Sequence, residues 1–163
     1  MVEYGVETSH DSTLKTINRG HSWAESVEAI RRTHARGIPV GAHLILGLPG
    51  ETTEDMVETA RRVAQLPLDT IKIHQLQLIR GTRLAKQVAD GSLSVINWTV
   101  EEYIKMCARW VEIIPSTIAI ERFVSQSPSH LLISPKWGLK NYEFTHLLLN
   151  RLKKSRELRR ERD

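Results

Sequence analysis

The stretch Pro39-Val40-Gly41-Ala42-His43-Leu44-Ile45-Leu46-Gly47-Leu48-Pro49-Gly50-Glu51 decides the fold. Its first part, Pro39 to Leu46, is nearly all apolar, the pattern of a parallel strand covered on both faces. Gly47, Pro49 and Gly50 then break the chain at the strand's C-terminal end, where α/β folds bind ligands. A helix is predicted from about Thr53 to Gln65, because Met56, Val57, Ala60, Val63 and Ala64 recur at spacings of three and four and make one face apolar.

The same order recurs on either side. Upstream, Val2 to Thr8 reads as a short strand and Asp11 to Ile17 as a short helix stopped by Asn18-Arg19-Gly20. Ser22 and Glu25 form a capping box for a helix that carries Val27 and Ile30 inward and ends near Gly37. Downstream, Thr70 to Ile79 reads as one strand, with Lys72, His74, Leu76 and Leu78 on one face and Ile71, Ile73, Gln75 and Gln77 on the other. Polar and apolar groups on both faces fit a barrel strand whose far end opens into a cavity while its outside packs on helices. Thr82 to Ala89 is a short helix. Thr99 and Glu102 cap a long one, with Ile104, Cys107, Ala108 and Val111 as its buried stripe and Pro115 beyond its end. Thr117 to Ile120 is a β-branched strand leading into Glu121-Arg122. Residues 126–130 form a loop, Leu131 to Ile133 a brief extended piece, Lys136-Trp137-Gly138 a turn, and a last helix starts near Lys140. Parallel-type strands alternating with helices argue for an α/β layer or barrel.

The 163 residues and 40% apolar content suit one domain with a modest core and exclude a chain disordered throughout. No run approaches the roughly 18 apolar residues of a membrane span, and no basic-then-apolar leader follows Met1, so the expected setting is cytoplasmic with no membrane partner. The formal charge of +4 is a property of the tail: Arg151 to Asp163 holds seven basic and three acidic residues, a net +4 that leaves residues 1–150 at zero. Such a run is either a solvated helix end or an electrostatic foot for tRNA or another polyanion. The single cysteine, Cys107, excludes an intrachain disulfide and reads as a buried thiol. One thiolate cannot hold an iron-sulfur cluster. No nucleotide triphosphate loop, Ser-His-Asp pattern or paired-carboxylate signature is present.

Taken in order, Glu3-Tyr4-Gly5-Val6-Glu7-Thr8, Ile17-Asn18-Arg19-Gly20-His21, His43 to Glu51, Ile71-Lys72-Ile73-His74, Gly81-Thr82 and Pro135-Lys136-Trp137 carry a resemblance. From residue 2 to about 152 the chain resembles the C-terminal half of a radical S-adenosylmethionine (radical SAM) protein. It is most similar to the bacterial uncharacterised Fe-S oxidoreductases related in layout to oxygen-independent coproporphyrinogen oxidases. The resemblance implies an α/β fold, the C-terminal part of a partial (β/α)6 TIM-like barrel with a C-terminal α/β extension. Residues 1–98 would supply strands four to six, 99–152 the extension and 153–163 a basic tail. It implies S-adenosylmethionine and a [4Fe-4S] cluster in a full-length parent that generates a 5'-deoxyadenosyl radical. The Cys-x3-Cys-x2-Cys loop that would hold the cluster is absent here, so the chain reads as a fragment, inactive alone, with no catalytic or metal-ligating residue and no certain cofactor of its own.

The residues that could meet the cofactor follow from the resemblance. Arg19 offers a planar fork to the methionyl carboxylate. Thr8, with Ser9, could donate to ribose hydroxyls and Glu7 accept from them, although a turn at Thr8-Ser9-His10-Asp11 explains the same residues. Ile45 would contact the adenosyl group, and Gly47 would give it room. His43 stands where the superfamily usually has a glycine, and Glu51 stands one place later than its usual glutamate. His43 and His74 lie in apolar strands and read either as satisfied structural groups or as substrate contacts, with Lys72 on the His74 face and Arg122 at the last strand's end. The partners expected are the missing N-terminal half or a second subunit, a second copy pairing on the open sheet edge, and tRNA. The different-class alternative is a half-barrel binding module without catalysis, or a subunit of a split enzyme.

Overall fold

A computed structural model of the chain describes residues 1–160. In chain order its elements are β1 (Val2–Glu7), α1 (Asp11–Thr16), α2 (Trp23–His34), β2 (Val40–Leu46), α3 (Thr53–Val63), β3 (Thr70–Gln75), β4 (Leu78–Ile79), α4 (Arg83–Ala89), α5 (Val100–Ile113), β5 (Ala119–Arg122), β6 (Leu132–Ser134) and α6 (Asn141–Arg160). Of the basic tail, residues 161–163 lie outside the described residues. The capping boxes predicted at Ser22/Glu25 and Thr99/Glu102 both form, and Thr52/Asp55 makes a third that opens α3. Each places a side-chain acceptor and a carboxylate on backbone N–H groups that the first helical turn leaves free.

β1, β2, β3 and β5 form one parallel sheet in that order. One face is apolar: Val40, Ala42, Leu44, Leu46, Ile71 and Ile73 are each at most 1% exposed and pack with Met56, Val57, Ala60 and Val63 of α3, Ile30 of α2 and Cys107 and Trp110 of α5. Every such branched side chain taken fully out of water contributes about 1.5–3 kcal/mol, and this face is where the fold's stability is concentrated. Alternation along the strands puts Glu3, Gly5, Glu7, His43, Ile45, Lys72 and His74 on the opposite face, and none of these is fully buried. A parallel sheet with helices on one face and a polar open face on the other is the wall of a partial barrel seen from inside.

The structure corrects several boundaries. The strand predicted over residues 70–79 is two. β3 ends at Gln75; Leu76 turns its N–H back to the Leu46 carbonyl; and β4 leaves the sheet to pair antiparallel with β6. Period-two alternation continues through the break, so composition gives no sign of it. β5 starts two residues later than predicted and takes Glu121 and Arg122 into the ladder, opposite Lys72 after a bulge. Trp137, expected as a turn residue, joins Trp98, Tyr103, Phe123 and Phe144 in an aromatic cluster that ties the C-terminal segment to α5.

Candidate functional site

The open face of the sheet is organised by ion pairs. Glu3 accepts from Lys72, and from His43 Nε2 at 2.8 Å when that nitrogen carries a proton, while Lys72 also lies 3.4 Å from Glu121. The two partners hold the Glu3 carboxyl below its ordinary range, and Glu3 in turn raises Lys72. Beside this network, Arg19 from the turn after α1 reaches back to the end of β1, where its Nη2 donates to the Gly5 carbonyl at 2.7 Å and lies 2.9 Å from Glu7. Gly5 permits this approach, since a Cβ there would lie 2.7 Å from Glu7 Oε1 and collide with the Arg19 guanidinium.

Glu7 is the strained residue of the site. Its φ of +66° lies in the left-handed region, and the β1–β2 register shifts at this point. Such a conformation costs a non-glycine residue about 1–3 kcal/mol and persists where the surroundings over-determine it, often at functional sites. Burial pushes its carboxyl up, outweighing the opposite pull of Arg19 and then of His43 and His21. A carboxylate desolvated while paired, beside a guanidinium that retains further donors, is a place where a zwitterionic ligand could insert.

His74, next along β3, is pushed down to about 4, chiefly by burial and then by the charges of Arg122 and His43. It is therefore a neutral imidazole at physiological pH, able to accept a hydrogen bond without carrying charge. His43, His74 and Lys72 thus lie together on the open face, with Arg122 near enough to act on His74, and Ile45 sits opposite His74 in the register.

Two expected contacts are placed elsewhere. Thr8 is 1% exposed on the helix side, where its hydroxyl donates to Glu51 and lies 3.3 Å from Thr59. Ser9 is 3.0 Å from the same threonine, so the pair does not offer its hydroxyls to the open face. The left-handed Glu7 ends β1, and the residue after it, Thr8, turns to the helix side. Glu51, which stands one place later than the superfamily's usual glutamate, is 7% exposed and raised by burial against the opposing bond from Thr8. The second correction is Gly47. Its φ is +88°, and a Cβ there would meet Trp98 Nε1 at 2.5 Å, so the space its missing side chain leaves is taken by an indole. Gly47→Ala is expected to cost about 2–3 kcal/mol, from strain at positive φ together with displacement of Trp98. A urea titration that finds the variant within 0.5 kcal/mol of the parent, about the size of an ordinary surface change, would contradict this packing.

Sequence reasoning also missed Gln75 and Gln77 as structural groups. Gln75 bonds both the N–H and the carbonyl of Ser125, and Gln77 donates to that carbonyl while accepting from Ser127. They fasten the segment after β5 to the C-terminal end of β3, along the wall of a cleft of about 550 Å³ that Lys136 and Trp137 close. Two amides two residues apart at a strand's end were the only signal. Cys107 lies fully buried in α5 with its thiol pushed up, and among the described residues no three His, Cys, Asp or Glu side chains gather at a metal-sized site.

Against known families, residues 1–63 match the Radical SAM superfamily and residues 68–154 the Radical SAM C-terminal domain. The chain is 37% identical over 142 residues to the uncharacterized protein YtqA of Bacillus subtilis, covering 87% of this chain and 44% of that protein. It is 25% identical over 156 residues to a tRNA uridine(34) acetyltransferase of Methanocaldococcus infernus, covering 94% of this chain and 28% of the relative. Among solved structures, Elp3 of Methanocaldococcus infernus with an N-terminal deletion superposes with a TM-score of 0.82 at 24% identity, over 94% of this chain and 36% of that one. That likeness supports the α/β parallel-sheet fold. The chain spans less than half the length of these relatives.

Proposed function

This chain belongs to the radical SAM superfamily, and from that premise we propose that it forms the cofactor and substrate wall of a longer radical SAM enzyme. When bound together, S-adenosylmethionine and a [4Fe-4S] cluster supply a 5'-deoxyadenosyl radical. The residues present fit the first of these and not the second. Cys107 is a lone, fully buried thiol on a helix, so cluster ligands would have to come from another segment or subunit.

For S-adenosylmethionine the fit rests on one observation: Arg19 crosses the glycine gap at Gly5 to sit beside the strained, desolvated Glu7 at the C-terminal end of β1. Both contacts run through Nη2, leaving other guanidinium donors for a carboxylate. Glu7, on the same face, is placed to accept from an ammonium or a ribose hydroxyl, and Ile45 gives the face an apolar patch. His43, Lys72, His74 and Arg122 would then line the substrate side. Gly47 and Thr8 support this wall from behind.

A second reading concerns the substrate of the longer protein. Similarity to a tRNA-acting relative, together with the exposed Arg151, Lys153 and Lys154 on α6, favours tRNA. The edges at β1 and β5 would be covered by the remaining barrel strands or by a second copy of the chain.

Binding of S-adenosylhomocysteine to the 163-residue chain, followed by calorimetry, tests the proposal. The expected result is saturable binding that Arg19→Ala weakens about ten- to a hundredfold, the loss of a hydrogen-bonded charged partner at about 1.5–3 kcal/mol. Unchanged affinity in a folded Arg19→Ala variant removes Arg19 from the site. No binding at all, in a chain shown to be folded, moves the case to a half-barrel module without cofactor.

A further inference from the structure

The charged groups of the open face are matched one to another, with one exception. Arg19 has Glu7, Lys72 has Glu3 and Glu121, and His43 has Glu3. The side chain of Arg122, the last residue of β5, has neither an ion pair nor a hydrogen bond among the described residues, and its Nε is shut off from solvent without a partner. Its nearest acidic neighbour in sequence, Glu121, is committed to Lys72. Register places Arg122 directly across from Lys72, so that two cations stand side by side on adjacent strands and one of them is left uncompensated. A guanidinium is rarely left with a buried, unspent donor, because desolvation without a partner is unfavourable.

Three features say what would fill the gap. The fork of donors is planar and matches the paired oxygens of a carboxylate or phosphate. Arg122 ends a parallel strand, the position from which α/β sheets present ligand-binding groups. His74, close enough to feel the Arg122 charge, stays neutral, so it adds an acceptor or a single N–H without adding a second unmatched cation. Lys72 is already neutralised and cannot substitute.

We propose that Arg122, flanked by His74, is an oxyanion subsite that receives a carboxylate or phosphate group of the substrate. The inference rests on the open face being the substrate wall, and it assigns that substrate a negative charge at a fixed place, beyond the reach of the Arg19 clamp. The subsite uses side chains of β3 and β5 alone and so is complete within this chain.

Titrating the 163-residue chain with inorganic phosphate, and in a second arm with acetate, while following the His74 ring signals by NMR, tests it. The expected result is a saturable shift at His74, with the tighter of the two anions identifying the oxyanion class. Arg122→Gln should weaken that binding at least about tenfold, Arg122→Lys should recover part of it, and Lys86→Gln, which removes an exposed cation on α4 away from the open face, should leave it unchanged. No saturable shift with either anion overturns the subsite, as does a loss in Lys86→Gln equal to that in Arg122→Gln, which would mean a diffuse positive surface. S-adenosylhomocysteine affinity, unchanged in Arg122→Gln, separates the two readings. A chain that binds the nucleoside but neither anion loses only the subsite. One that binds an anion at Arg122 but not the nucleoside loses only the cofactor wall.

Discussion

Phe144→Ala is expected to cost about 3–5 kcal/mol and to undock the C-terminal helix. Phe144 is fully buried, and its ring centroid lies 6.3 Å from Trp137 in a stacked arrangement, 5.4 Å from Tyr103 and 6.3 Å from Phe123. These rings come from α6, the segment before it, α5 and the residue after β5, so one side chain joins α6 to α5 and to the chain that follows β5. Removing it loses the transfer energy of the ring and leaves a cavity whose walls are held in place. The Tyr103 hydroxyl is tied to the Phe123 carbonyl at 2.8 Å, and the Trp137 Nε1 donates to the Trp98 carbonyl at 3.0 Å, so neither ring collapses freely into the gap. Denaturant titrations of Phe144→Ala, Phe144→Leu and Tyr142→Ala measure this. The leucine, which fills most of the volume, should cost less than half as much. Tyr142, 67% exposed on the same helix, should change stability by no more than about 0.5 kcal/mol. If Phe144→Ala falls below about 1 kcal/mol, α6 is not part of the core and the cleft that Trp137 closes loses its wall.

The architecture is legible in the sequence wherever a local rule and the global fold agree. The nearly apolar run from Val40 to Leu46, read as a strand covered on both faces, does form a strand but is fully buried only on its helix side, with His43 and Ile45 partly exposed on the other; both predicted capping boxes form because their geometry is contained in four residues. The end of β3 is not legible. Leu76 and Gln77 continue the alternation, and the departure from the sheet is set by β6 and by Ser125, which lie about fifty residues downstream. The candidate site divides along the same line. Arg19 and Glu7 stand out because they flank a turn, and their pairing requires knowing that Gly5 opens a path between them. Gly47 reads as a ligand's space because a glycine reports room without reporting who fills it; Trp98, far along the chain, is the answer. Thr8 is misplaced for a different reason. The left-handed Glu7 ends the strand, so the face of the following residue depends on a backbone strain that composition does not reveal.

His74 should make the folded chain lose stability in acid in a window that can be named. Its pKa is about 4 in the folded state against an ordinary 6.5, so between these values the unfolded chain binds a proton that the folded chain refuses. Stability from this group is therefore fully present above about pH 6.5 and is lost as pH falls through about 4. The shift sets a ceiling of about 3 kcal/mol, and partial exposure brings the expected amplitude to about 2 kcal/mol. The charged and titratable groups acting on the ring are Arg122 and His43, both of which oppose its protonation, and burial acts in the same direction. Glu7 and Glu51 run the other way, since their raised values favour the folded state at low pH and are felt as pH rises through them. Total stability against pH would mix these opposing slopes. The difference between the parent and His74→Asn isolates the imidazole: it should widen as pH rises from about 4 to 6.5 and be flat above. NMR titration of the ring supplies the second reading, with a midpoint near 4 that moves upward in Arg122→Gln. A midpoint near 6.5 would mean that His74 is solvated, and the open face would then be too wet to hold a neutral imidazole beside an unpaired guanidinium.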